Sequence, residues 1–63
     1  MANTYIATPL ESDERLAQFR STDFDPIELA ERFGSVAVFD LTDELRPVAY
    51  ITYDGDSVRT EWA

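Results

Sequence analysis

Catalysis needs a nucleophile, an acid–base pair or a metal, and this sequence lacks most of the side chains that supply them. It contains no cysteine and no histidine. It contains no lysine either, since its five cations are Arg15, Arg20, Arg32, Arg46 and Arg59. Imidazole is the usual general base near neutral pH and the commonest metal ligand, and thiolate and amine nucleophiles are missing with it. Carboxylates, tyrosines and hydroxyls remain. A pair of carboxylates hydrolyses a substrate only inside a cleft deep enough to hold it and to raise one of the two pKa values. A chain of 63 residues has little volume for such a cleft. The expectation is that the protein is not an enzyme and has no catalytic residue.

Two pairs of acids, Asp23-Phe24-Asp25 and Asp54-Gly55-Asp56, have the spacing of ligands for a hard cation. A calcium loop, however, needs three oxygen ligands at alternating positions, a central glycine and a glutamate at position twelve. Neither segment supplies these. Asp25 instead suits a helix cap and Asp54-Gly55 a tight turn. No metal and no cofactor are expected.

Charge is the strongest signal. Thirteen carboxylates oppose five arginines, a formal net charge of −8. The acids recur along the whole chain and include Glu11, Asp13, Glu14, Asp23, Asp25, Glu28, Glu31, Asp40, Asp43, Glu44, Asp54 and Asp56. Glu28 and Glu31 stand three residues apart, where like charges on a helix repel. Some acids have a local role, because carboxylates in a first helical turn favour the helix dipole. Those least explained by caps or turns are Glu14, Glu31, Asp40, Asp43 and Glu44, and these are the candidate partner-binding residues. Tyr50, Tyr53 and Trp62 are candidate aromatic anchors, since such residues dominate binding hot spots. The surrounding negative potential repels nucleic acid and membranes and attracts basic protein grooves.

The elements that must carry these residues follow from local patterns. Asn3 to Thr8 reads as a short extended piece. Thr8-Pro9-Leu10-Glu11 has the cap, proline and acid of a helix start, with Ser12-Asp13-Glu14 as a competing start. The predicted first helix runs to about Arg20, with Leu10, Leu16, Ala17 and Phe19 as a narrow apolar stripe. A second helix starts at the Asp25 cap, with Pro26 at N1 and Glu28 at N3. Phe24 and Leu29 hold the positions of a hydrophobic staple, Ile27, Ala30 and Phe33 follow one helical face, and Gly34 ends the element in a left-handed conformation.

The remainder is β. Val36–Leu41 and Val48–Tyr53 are rich in branched and aromatic residues, and the turn at Asp54-Gly55 leads to a third strand over Ser57–Trp62. Short connections favour antiparallel pairing. The predicted fold class is α+β, two helices packed on a three-stranded antiparallel sheet in the order α-α-β-β-β. One domain, residues 1–63, is expected. Its core is thin, because a chain this short buries only about 60% of the surface that its unfolded form exposes. The apolar content of 44% nevertheless exceeds that of a disordered chain. The N-terminal run lacks the basic region and apolar stretch of a signal peptide, and no apolar run approaches a membrane span. A cytoplasmic location is expected, as a monomer or weak homodimer.

In size, absence of cysteine and dispersed carboxylates (Asp13, Glu14, Glu28, Glu31, Asp43 and Glu44), the chain resembles the phage-encoded inhibitors called anti-CRISPR proteins. The closest in style are those that mimic DNA and block a Cascade-type effector. The resemblance implies a protein whose carboxylates replace phosphates, which B-DNA presents at about one per 1.7 Å of axis. The implied partner is the basic DNA-binding surface of a type I CRISPR effector subunit. Nucleic acid itself and membranes are not partners. A different class accounts for the same composition: a halophile-adapted or antitoxin-like interaction module that holds a partner protein without mimicking DNA.

Overall fold

The stretch from Asp25 to Gly34 folds as its local sequence dictates. The structure, a computed structural model, describes residues 2–63. The helix α1 covers Pro26–Phe33 and is capped by Asp25, whose carboxylate accepts from the backbone N–H groups of Ile27 (3.1 Å) and Glu28 (3.3 Å). Proline at N1 costs no hydrogen bond, because that N–H has no partner in any helix. Gly34 closes the element with its N–H on the Ala30 carbonyl at 2.8 Å. Its φ of 79° is positive as expected, but its ψ of −145° belongs to the extended mirror region that glycine alone enters freely, not to the left-handed helical one.

The buried face of α1 differs from the expected one. Leu29 and Ala30 are buried and Phe33 is half-buried, whereas Ile27 is 59% exposed. The burial stripe is therefore Pro26, Leu29, Ala30 and Phe33, the i, i+3, i+4, i+7 pattern of one helical face.

Two helices on a three-stranded sheet is not the fold. Among the described residues there are one α-helix and a five-stranded sheet: β1 (Thr4–Pro9), β2 (Ala17–Arg20), β3 (Val36–Asp40), β4 (Arg46–Tyr53) and β5 (Val58–Trp62). A single 3-10 turn, Ser21–Asp23, precedes α1. All neighbouring strands are antiparallel, in the order β2-β1-β3-β4-β5.

The predicted first helix is the element that fails. Thr8 and Pro9 belong to β1, pairing with Ala37 and Val36. Leu10 and Glu11 form a turn, the chain continues without regular structure to Leu16, and Ala17–Arg20 forms β2. The apparent cap is a local turn, in which the Ser12 hydroxyl accepts from the Glu14 N–H at 2.9 Å. With so few apolar residues, this segment satisfies a helical stripe (Leu16, Phe19) and a strand alternation (Ala17, Phe19) about equally. Pairing decides between them. As a strand, Tyr5 opposes Phe19 and Ala7 opposes Ala17, and one edge of β1 gains a ladder that a helix would leave unmade.

The connection from β2 through α1 to β3 lays the helix on one face of the sheet. The core between these layers is formed by Ala7, Leu29, Ala30, Val36, Val38 and Ile51, with Tyr5, Phe19, Phe24, Phe33, Tyr53 and Val58 packed around it. At one end the rings form a cluster. Phe24 meets Tyr5 edge-on at 5.8 Å and Trp62 at 5.7 Å, and stacks on Phe19 at 5.9 Å. Such contacts add about 0.5–1.5 kcal/mol each beyond the area they bury. The register of β3 and β4 shifts between Val38 and Phe39, so Phe39 faces Pro47 and Val48 is the extra, bulged residue.

Candidate interaction surface

Among the described residues no helix lies on the opposite face of the sheet. Alternation along the strands directs Thr4, Ile6 and Thr8 of β1, Ala37 and Phe39 of β3 and Tyr50 of β4 to that side, as the pairs Ile6–Phe39, Thr8–Ala37 and Ala37–Tyr50 show. Ile6 and Ala37 are nonetheless buried at 3% and 4%. Ile6 lines a cavity with residues of the β1–β2 loop and the β3–β4 turn, and Ala37 lines one with residues of the β1–β2 loop.

These two loops frame a groove. A cavity of about 380 Å³ is lined by Ile6, Thr8 and Phe39 on its floor, with Asp13 and Arg15 of the β1–β2 loop and Leu45 of the β3–β4 turn at its ends. A neighbouring cavity of about 360 Å³ shares Thr8, Asp13 and Phe39 and is bounded by Leu10 and Tyr50. Leu10, Leu45 and Tyr50 are 49%, 45% and 38% exposed, so apolar side chains open to water ring an apolar floor.

The turn that presents Leu45 is strained. Glu44 and Leu45 both have positive φ, 54° and 61°, and the Arg46 N–H reaches the Asp43 carbonyl at 3.1 Å. This is the backbone of a primed hairpin turn, which asks for Asn-Gly and receives Glu-Leu. Residues held in such conformations persist only where the surroundings over-determine them. Here the surroundings are the Asp40 network. Asp40 Oδ2 accepts from Asn3 Nδ2 at 2.7 Å, and Oδ1 accepts from the Thr42 and Asp43 N–H groups at 3.0 and 3.3 Å. The Thr42 hydroxyl in turn accepts from the Thr4 N–H at 2.8 Å.

The five candidate acids are therefore placed differently from one another. Glu14, Asp43 and Glu44 are exposed on the two loops that frame the groove. Glu31 is exposed on α1, in the other layer. Asp40 is 7% exposed and its carboxylate is engaged within the fold. Among the aromatic candidates, Tyr50 faces the groove, Tyr53 packs on the core with its hydroxyl donating to the Gly55 carbonyl at 3.3 Å, and Trp62 is 64% exposed at a sheet edge. The residues that sequence reasoning missed are Leu10, Phe39 and Leu45. Leu10 falls within the predicted first helix, and an isolated leucine in a charged turn, such as Leu45, gives no signal of its own.

Comparison with protein-family models, with curated proteins and with solved structures returned no match.

The electrostatics are those of an almost uncompensated surface. Twelve of the thirteen carboxylates are exposed. Among the described residues the ion pairs are Arg32–Glu28 at 3.7 Å and Arg46–Asp43 at 3.2 Å, both exposed and worth little in water. A third, smaller cavity of about 230 Å³ between α1 and β2 has Asp23, Asp25 and Glu28 on its walls, with Arg32 beside them. No group of three or more ligating side chains gathers at a metal-binding distance among the described residues, and no helix there is long and apolar enough to cross a membrane.

Proposed function

We propose that this chain is a protein-binding inhibitor that seats the open face of its sheet on a basic, nucleic-acid-binding surface of its partner in the cytoplasm. The observation that carries this reading is the groove. An apolar floor and ring with acids on both framing loops is the arrangement of an interface core inside a charged rim. Leu10, Phe39, Leu45 and Tyr50 provide desolvated anchorage. In this reading Glu14, Asp43 and Glu44 take the part of phosphates, and their pairing with a Lys/Arg-lined channel releases counterions as DNA binding does. Arg15 lies inside the groove, so the contact is not purely anionic. The resemblance in size and charge to DNA-mimicking anti-CRISPR proteins makes a type I (Cascade) effector the first partner to test.

The test is competition. A purified effector is titrated with labelled target DNA in the presence of the chain, and with variants carrying Asp43→Lys and Glu44→Lys, or Leu45→Ser. Loss of DNA binding that these substitutions relieve, and that weakens with salt, supports phosphate mimicry. Simultaneous binding of DNA and the chain, at undiminished DNA affinity, rules it out.

A second reading is favoured by one observation: exposed acids also cover α1 and the β4–β5 loop, away from the open face of the sheet. That distribution suits a halophile-adapted or antitoxin-like module that uses the same groove without mimicking DNA. Circular dichroism tests for halophile adaptation. A protein that folds only in molar salt belongs to the second class. One that folds at about 0.15 M, where the Debye length is about 8 Å, is not halophile-adapted, and the competition assay then separates a DNA mimic from an antitoxin-like module.

A further inference from the structure

The strand β5 is an edge, and its sequence is its own complement. Val58-Arg59-Thr60-Glu61-Trp62 reads apolar, cationic, hydroxyl, anionic, apolar about a centre at Thr60. The backbone register makes that symmetry usable. Ala63 N donates to the Val48 carbonyl and Asp54 N to the Ser57 carbonyl, and β4 and β5 pair without a shift between these bonds. Hydrogen-bonded and non-hydrogen-bonded pairs alternate along an antiparallel ladder. Arg59 and Glu61 therefore bond to Thr52 and Tyr50, while Val58, Thr60 and Trp62 turn their N–H and C=O groups away from β4. No bond outside the ladder reaches those three residues among the described ones.

The edge also lacks several of the usual protections. β5 contains no proline, no lysine and no bulge, and Trp62, which meets Phe24 edge-on on the helix side, is still 64% exposed. Neither Arg59 nor Glu61 belongs to an ion pair among the described residues. The other edge is a poorer template. β2 is only Ala17–Arg20 and offers Arg20 no carboxylate on its own strand.

We propose that two copies of this chain join through β5, antiparallel about a two-fold axis at Thr60, fusing their sheets into one. In this register Thr60 meets its equivalent, and Val58 meets Trp62 of the second copy. Every outward N–H and C=O of the three residues then finds a partner. Arg59 opposes Glu61 of the second copy at a non-hydrogen-bonded position, where side chains approach most closely. The contact is isologous, so it closes at two copies and does not propagate. It leaves the groove on the open face of each copy available and is independent of what that groove binds.

Sedimentation equilibrium of the full chain at about 0.15 M salt, where the repulsion of two −8 copies is screened beyond about 8 Å, measures the association. A dimer is expected, weakened about tenfold by Glu61→Arg, which sets like charges opposite each other twice. Combining it with Arg59→Glu restores the pair in the opposite sense and returns the dimer. Thr60→Pro removes an N–H that points only at the second copy and should yield a folded monomer. If that variant does not fold, the charge series decides alone. A chain that stays monomeric to about 1 mM, a dimer indifferent to Glu61→Arg, or a reversal that the double substitution does not rescue overturns the proposal.

Discussion

Asp40 accepts a hydrogen bond from Asn3 at 2.7 Å, across a sequence separation of 37 residues, and so ties the start of β1 to the end of β3. The same carboxylate holds the Thr42 and Asp43 N–H groups and thereby sets the turn that projects Leu45 over the groove. A buried acid with three donors is a fold determinant, and its consequences are measurable.

Replacing Asp40 with alanine strands the Asn3 amide and the Thr42 N–H, while the Asp43 N–H keeps the Asp40 backbone carbonyl at 3.3 Å. A destabilisation of about 2–3 kcal/mol is expected, from the desolvation of groups left unpaired. Asn3→Ala should cost less, because the Asp40 carboxylate keeps its two backbone donors. Urea denaturation of the two single variants and the double variant gives the coupling between them, and a coupling near zero would show that the 2.7 Å contact contributes nothing in solution.

Asp25→Ala removes the acceptor of the Ile27 and Glu28 N–H groups and should lower stability by about 1 kcal/mol. In a domain of this size that corresponds to a fall in Tm of roughly 4–8 °C. A thermal melt that does not move would remove the cap from the account of α1.

The strained turn predicts a gain. Glu44→Asn with Leu45→Gly supplies the residues its backbone asks for, and each positive-φ residue relieved is worth about 1–2 kcal/mol in the left-handed region. The double variant should melt higher than the parent while binding its partner more weakly, because the Leu45 anchor is gone. Higher stability with unchanged partner affinity would take Leu45 out of the interface.

Asp54 titrates below the usual carboxylate value of 3.8, chiefly because the backbone N–H groups of Ser57 and Asp56 donate to its charged form. A depressed folded-state pKa means a stabilising contribution that is complete above the unfolded value and is lost as pH falls through the folded one. The stability difference between the parent and Asp54→Asn should therefore be constant near neutrality and shrink below pH 3.8. Melts at pH 7 and at about pH 3 measure it, and a difference that grows on acidification contradicts the assignment.

From Asp25 onward the local sequence was sufficient. A cap, a proline, a terminal glycine and runs of Val, Ile and aromatic residues each act within a few residues of themselves. α1 and the strands β3, β4 and β5 lie where those signals put them, to within two residues at their ends. The absence of cysteine, histidine and lysine was equally legible, because composition does not depend on folding. The fold class was not. Whether Ala17–Arg20 is helix or strand is decided by the free edge of β1, and β1 in turn is placed by its pairing with β3, 30 and more residues away for most of its length. The groove had no local signature for the same reason. Leu10, Phe39 and Leu45 come together only when the β1–β2 loop and the β3–β4 turn close on one face, and the conformation of that turn is imposed against its own residues by the bonds of Asp40. Short-range chemistry set the elements, and long-range pairing selected which of two equally marked alternatives β2 became.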